Sequence, residues 1–97
     1  YLVTKDEIPD INNLNLVLEL NGKKMQSGNT KNMIFNTNFL VSYLSKFMSL
    51  QPGDLITTGT PAGVGMGMKP QVFLKSGDKI KLTIDLLGEQ NSKVVIK

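Results

Sequence analysis

The stretch Thr57 to Gly65, TTGTPAGVG, constrains the fold more than any other part of the chain. Three glycines and three threonines stand there with one proline and no charge, and Gly67 follows close behind. A helix interior loses roughly 1 kcal/mol for each glycine relative to alanine and more for a proline. A strand wants side chains that pack, which glycine lacks. The stretch is therefore a loop of backbone amides and hydroxyls, and the regular structure must lie on either side of it.

Upstream, YLVTKDEIPDINN is polar and broken by proline, so it reads as a lead-in loop. In LNLVLEL, Leu14, Leu16, Leu18 and Leu20 alternate with Asn15, Val17 and Glu19, the period of a half-buried strand. Asn21-Gly22 follows, a strong signal for a two-residue hairpin turn with positive φ at both positions. KKMQS then returns as the antiparallel partner, and Gly28 closes the hairpin. Next comes one helix, capped by Asn36 or Thr37. Its stripe of Phe39, Leu40, Tyr43, Leu44, Phe47 and Met48 has helical period and reads as core or subunit contact. Pro52-Gly53 ends it.

The remainder reads as β. DLITTG is a short strand candidate, DKIKLTIDLL a longer alternating one, and SKVVIK its partner across Gly88-Glu89-Gln90. Gly53-Asp54 and Gly77-Asp78 stand in similar settings, each a tight turn whose aspartate can bond turn amides at the mouth of a strand. The fold class is α+β, mostly β, in a single domain over residues 1–97.

Composition excludes several chemistries. The chain holds no cysteine and no histidine, so neither a disulfide nor a serine–histidine triad nor a thiolate pair can be built within it. A metal site would have to draw on eight scattered carboxylates. The net charge is +3, but the lysines are dispersed and arginine is absent, which argues against a nucleic-acid surface. No apolar run approaches the roughly 20 residues of a membrane span, nothing at Tyr1 resembles a signal peptide, and the lack of cysteine fits a cytoplasmic setting. The first residue is not methionine, which reads as a processed chain or a piece of a longer one.

The glycine loop meets neither phosphate-binding pattern. Gly63-Val-Gly65-Met-Gly67 is followed by Met68, Lys69 and Pro70 with no helical pattern, so it is not a dinucleotide loop, and no glycine-lysine-threonine follows. Its exposed N–H groups and the hydroxyls of Thr58 and Thr60 can still cradle a carboxylate or oxyanion. A mobile connector is the competing reading.

Three stretches, LNGKKMQSGNTKNMIF, YLSKFMSLQPGDLITTGTPAGVGMG and FLKSGDKIKLTIDLLG, together resemble the C-terminal part of the fumarylacetoacetate hydrolase family over essentially the whole chain. KPQVFLKSGD looks most like its bacterial 2-hydroxyhepta-2,4-diene-1,7-dioate isomerase branch. The resemblance implies a mixed β-roll, present here in its C-terminal part, a homodimer or other homo-oligomer, and a divalent cation, Mg²⁺ or Mn²⁺. It implies a small 2-oxo dicarboxylate or acylpyruvate substrate, in the catabolism of aromatic compounds, undergoing C–C hydrolysis or isomerisation; oxaloacetate-type decarboxylation is the alternative. The family's metal ligands lie upstream of the matching stretch, and this chain has no Glu-x-Glu, so no metal ligand and no catalytic residue is assigned within it. Thr60 corresponds to a threonine that contacts substrate in the family; Thr58, Gly59 and Gly63 are implied as loop shape and amide donors. By itself the chain is then an inactive portion of an enzyme. A non-catalytic module and a structural fragment that associates with its missing half are the other readings.

Overall fold

A computed structural model of the protein describes residues 2–96. Four strands form one sheet: β1 (Asn15–Leu20), β2 (Lys23–Asn29), β3 (Lys79–Ile84) and β4 (Gly88–Lys93). Their order is β2-β1-β3-β4, and every pairing is antiparallel. Two hairpins thus lie side by side, joined through β1 and β3. The one α-helix among the described residues, α1 (Thr37–Leu44), and the long glycine-containing connection separate them in the chain. The mostly-β α+β class expected from the sequence is what forms.

Alternation in β1 and β3 gives the sheet two unlike faces. Leu16, Leu18 and Leu20 stand opposite Ile84, Leu82 and Ile80, which makes one face a two-strand ladder of aliphatic side chains. The opposite face carries Glu19 and Lys81 as partners, and Lys81 Nζ lies 2.8 Å from the Glu89 carboxylate of β4. The aliphatic face is the one that the glycine loop covers. Away from the sheet, Ile8 and Leu14 are the buried hydrophobic residues among those described.

The β1–β2 hairpin turns at Asn21 and Gly22 with φ of 52° and 79°, the two positive values a type I′ turn requires. The pairing then slips between Leu18 and Glu19: Leu18 faces Gln26 while Glu19 faces Lys24. Met25 is the extra residue of a β-bulge, and such a bulge re-aims the residues beside it.

Three expectations need correction. The β3–β4 turn is Asp85-Leu86-Leu87, not Gly88-Glu89-Gln90, and β4 starts at Gly88. Asp85 stops β3 because its carboxylate accepts from the Asn15 backbone N (3.0 Å) and side-chain amide (2.7 Å). The apolar pair Leu86-Leu87 hid the turn, since it continues the strand pattern. Secondly, α1 ends at Leu44, leaving Phe47 and Met48 on turn. Ser45 Oγ donates back to the Ser42 carbonyl at 2.8 Å, a bond that competes with the helix ladder. Leu40 and Leu44 of the stripe are half-buried and its aromatic side is exposed, so it is not core within this chain: Phe35, Phe39, Tyr43 and Phe47 stack along the surface with ring centroids 4.7, 5.9 and 5.1 Å apart. Thirdly, Leu55 to Gly59 forms no strand and pairs with no described one, and Leu55 is 89% exposed. A strand needs a neighbour to satisfy its amides, and β-propensity does not supply one.

The cap of α1 is Asn36, whose Oδ1 accepts from Phe39 N at 2.8 Å. Thr37 instead donates its hydroxyl to Asn12 Oδ1 at 3.0 Å, tying the helix start to the lead-in loop. No helix among the described residues is long and apolar enough to cross a membrane.

Candidate functional site: a glycine loop clamped to the bulged strand

The loop from Thr57 to Gly67 is held to β2 at three points. Gln26 Nε2 donates to Thr60 Oγ1 at 2.8 Å and to the Pro61 carbonyl at 2.7 Å. Pro61 then lies over Gly28, where a Cβ would come within 2.9 Å of the proline ring. Gly63 lies against the Met25 carbonyl so closely that any Cβ would collide with it. All three anchors come from the bulge and the residues just beyond it, so the irregularity in β2 shapes the surface on which the loop sits.

Beyond these anchors the loop closes on itself. Val72 N donates to the Gly65 carbonyl at 3.0 Å, and a Cβ at Gly65 would strike the Val72 carbonyl. A short 3-10 turn, Gly65–Gly67, is closed by Gly67 N donating to Val64 O at 2.9 Å. Between loop and sheet runs an apolar cleft of about 230 Å³, lined by Leu18, Leu20, Met25, Val64, Val72 and Ile80. The loop is therefore packed over the aliphatic face, which argues against a mobile connector.

The four residues singled out in the sequence fall into two groups. Thr60 and Gly63 are brought to β2, Thr60 through its hydroxyl and Gly63 through close backbone approach at φ 109°. Thr58 and Gly59 lie on the exposed run before them, Gly59 at φ 92° with open space where a Cβ would stand. Neither Gly59 nor Gly63 donates its N–H to a described residue. The result is an uncharged surface carrying a hydroxyl and two amides. That surface can donate to an anionic oxygen and offers a cation no carboxylate.

Gln26 escaped the sequence reading. It sits in β2 opposite Leu18, a polar residue at a position of the aliphatic face, and it is half-buried. Polar groups placed on an apolar face need partners, and that mismatch was the signal available in KKMQS.

The residues present do not fit a metal centre. No three His, Cys, Asp or Glu side chains among those described lie close enough together to hold an ion. Several carboxylates have structural partners instead. Asp78 accepts from Asn21 Nδ2 at 2.9 Å and from Lys75 N at 2.8 Å, and those bonds, the Asn21 one foremost, hold its pKa below the ordinary value. The Lys81 ammonium, with Asn91 behind it, lowers that of Glu89. Asp54 accepts from Gln51 N at 2.7 Å, as Asp78 does from Lys75 N. With Gly53 and Gly77 at φ 97° and 92°, the two glycine-aspartate turns have the same geometry. Only Asp78 stands at the mouth of a strand.

The family profile described as fumarylacetoacetate (FAA) hydrolase, C-terminal, matches residues 1–95. The chain belongs to the fumarylacetoacetate hydrolase family. A Burkholderia cenocepacia protein named as a hydrolase is 58% identical over 91 residues, 93% of this chain and 32% of that protein. The chain thus spans about a third of the length of the curated relatives it matches. Fumarylacetoacetate hydrolase from Exiguobacterium antarcticum superposes with a TM-score of 0.92 at 40% identity, covering 98% of this chain and 34% of that one. Maleylpyruvate hydrolase from Sphingobium sp. SYK-6, solved with manganese (II) and pyruvate, gives 0.83 at 36% identity over 97% and 33%. A Mycobacterium abscessus protein described as a probable 2-hydroxyhepta-2,4-diene-1,7-dioate isomerase gives 0.76 at 35% over 80% and 29%. Hydrolases and isomerases of one family therefore share this piece of fold.

Proposed function

We propose that the chain supplies the substrate-facing loop of an enzyme that hydrolyses or isomerises small 2-oxo or enolic acids, with acylpyruvates and 2-hydroxydienedioates as the substrate class. The observation that carries the reading is the clamped, charge-free loop, in which the Thr60 proton and the Gly59 and Gly63 N–H groups have no acceptor among the described residues. Such substrates carry carboxylates and react through an enolate, so negative oxygen must be stabilised. Preorganised neutral donors do this without drawing a cation away from the substrate. The manganese and pyruvate of the maleylpyruvate hydrolase structure agree in kind with such a substrate and with a divalent ion. Mg²⁺ or Mn²⁺ would then be held by residues outside these 97, and the enzyme would work as a homo-oligomer in the cytoplasm.

In the intact protein supplied with Mn²⁺, three assays separate the chemistries: cleavage of acetylpyruvate, isomerisation of 2-hydroxyhepta-2,4-diene-1,7-dioate and decarboxylation of oxaloacetate. Thr60→Val keeps the shape of the side chain and removes its hydrogen-bonding group. It should lose roughly 1.5–3 kcal/mol of transition-state binding, a hydrogen bond to a charged group, while the melting temperature changes little. Full kcat/KM in that variant would sink the substrate contact, and silence of the wild type in all three assays would sink the enzyme reading.

A further inference from the structure

The Gln26 amide faces Thr60 and Pro61 with one atom. That atom lies 2.7 Å from the Pro61 carbonyl oxygen, which can only accept, so it must be the NH₂ group. The orientation of the amide is thereby fixed by chemistry. Both its hydrogens are then spent, one on the Pro61 carbonyl and one on Thr60 Oγ1. An amide nitrogen offers no lone pair, so the Thr60 hydroxyl cannot donate back to it. No described residue accepts the Thr60 proton either. One of the two lone pairs of the hydroxyl is thus taken by Gln26, and its proton has no acceptor among the described residues.

We infer that Gln26 is a positioning residue that commits Thr60 to act as a hydrogen-bond donor toward the substrate. The inference rests on the substrate contact proposed for Thr60 and deepens it. A lone threonine hydroxyl can donate or accept as the ligand demands. Once it accepts from Gln26, its remaining face favours a carboxylate, carbonyl or enolate oxygen over an N–H group. Accepting that bond also polarises the O–H, which strengthens its donation. The bulge at Met25 places Gln26 where this geometry is met, and the contacts of Gly28 with Pro61 and of Gly63 with Met25 keep loop and strand in register.

The competing role for Gln26 is simple docking of the loop, and a double-mutant cycle separates the two. Gln26→Met and Gln26→Glu are made alone and together with Thr60→Val in the intact protein. Acetylpyruvate cleavage with Mn²⁺ and calorimetric affinity for pyruvate are both read. Gln26→Met should lower kcat/KM about tenfold, and Gln26→Glu at neutral pH about a hundredfold, the span of a hydrogen bond to a charged group. The introduced carboxylate would accept the Thr60 proton and draw it inward. Its penalty should therefore shrink as the pH falls toward the carboxyl pKa, whereas that of Gln26→Met should not. On the Thr60→Val background neither change should cost more than about twofold, since the hydroxyl they act through is gone. Equal losses on both backgrounds would mean docking only and would overturn the inference, as would normal kinetics in a folded Gln26→Glu variant should Gln26→Met fail to fold. If Thr60→Val is itself fully active, the contact fails and takes the inference with it. If Thr60→Val is impaired while the Gln26 variants are not, the inference alone fails. A wild type that neither cleaves acetylpyruvate nor binds pyruvate removes both.

Discussion

Gly63 and Gly67 stand four residues apart in one loop and have opposite structural roles. Gly63 combines a φ of 109° with a position where any Cβ would meet the Met25 carbonyl. Gly67 has open space around it and ordinary backbone geometry. The left-handed conformation alone costs an L-residue roughly 1–2 kcal/mol, before the collision with main chain that cannot swing aside is counted. Gly63→Ala in the intact protein should therefore lower stability by at least about 2 kcal/mol, or undock the loop and lose activity. Gly67→Ala should be close to neutral in both. Melting curves beside kcat/KM for the two variants decide it, and equal behaviour would mean that the approach to Met25 does not hold the loop. The family motif singled out Gly63 and not Gly67, but not its approach to Met25, because that contact depends on a strand about forty residues upstream and on a bulge in it. Thr60 was legible through the family motif. Gln26, its partner, was legible only as a polar residue in the wrong half of an alternation.

At the scale of elements, local rules carried the hairpin and failed where two segments had to meet. Asn21-Gly22 formed as its side chains dictate, since positive φ at both positions is a local demand. Leu55 and Ile56 have strand-like chemistry but pair with no described strand, and nothing within five residues could have said so. The mouth of β3 shows the two kinds of information working together. Asp78 ties its own turn through Lys75 N, a bond foreseeable from sequence, and reaches Asn21 of the other hairpin, which is not. Asn21 returns the bond by accepting from Lys79 N at 2.9 Å, and its own N donates to the Lys79 carbonyl at 2.8 Å. The Asn21 and Lys75 bonds hold the Asp78 carboxyl below its ordinary pKa of 3.8. A lowered folded-state pKa gives stability that is fully present above the unfolded value and drains as the pH falls through the folded one. Asp78→Ala should thus lower the melting temperature at neutral pH, and the gap from wild type should close below about pH 4. A gap independent of pH would show that the loss comes from the side chain's packing and not from its charge.

At the scale of the whole chain, the 97 residues cover very little of their own apolar surface. The buried hydrophobic residues described are Ile8 and Leu14, while Phe39, Tyr43 and Phe47 are 46%, 49% and 69% exposed along one stacked ladder. Apolar surface on that scale is covered in a stable protein by something else, and β2 and β4 also present the two open edges of the sheet. The ladder has the continuity of an interface: four rings from Phe35 to Phe47, each within 6 Å of the next, running along α1 and the residues that flank it. This polypeptide prepared alone should therefore self-associate, and light scattering across a concentration series should give a mass above 10.7 kDa that rises with concentration. Phe39→Ser with Phe47→Ser should reduce that association, because it takes two of the four rings out of the ladder without touching the sheet. The same preparation should show no Mn²⁺-dependent cleavage of acetylpyruvate, since no carboxylates among the described residues form an oxygen cluster and Asp78, Asp85, Glu89 and Asp54 are spent on Asn21, Asn15, Lys81 and turn amides. Activity restored by adding the remainder of the intact protein would locate the metal ligands there. Activity in this chain alone would mean that the loop and strand described above complete a site by themselves.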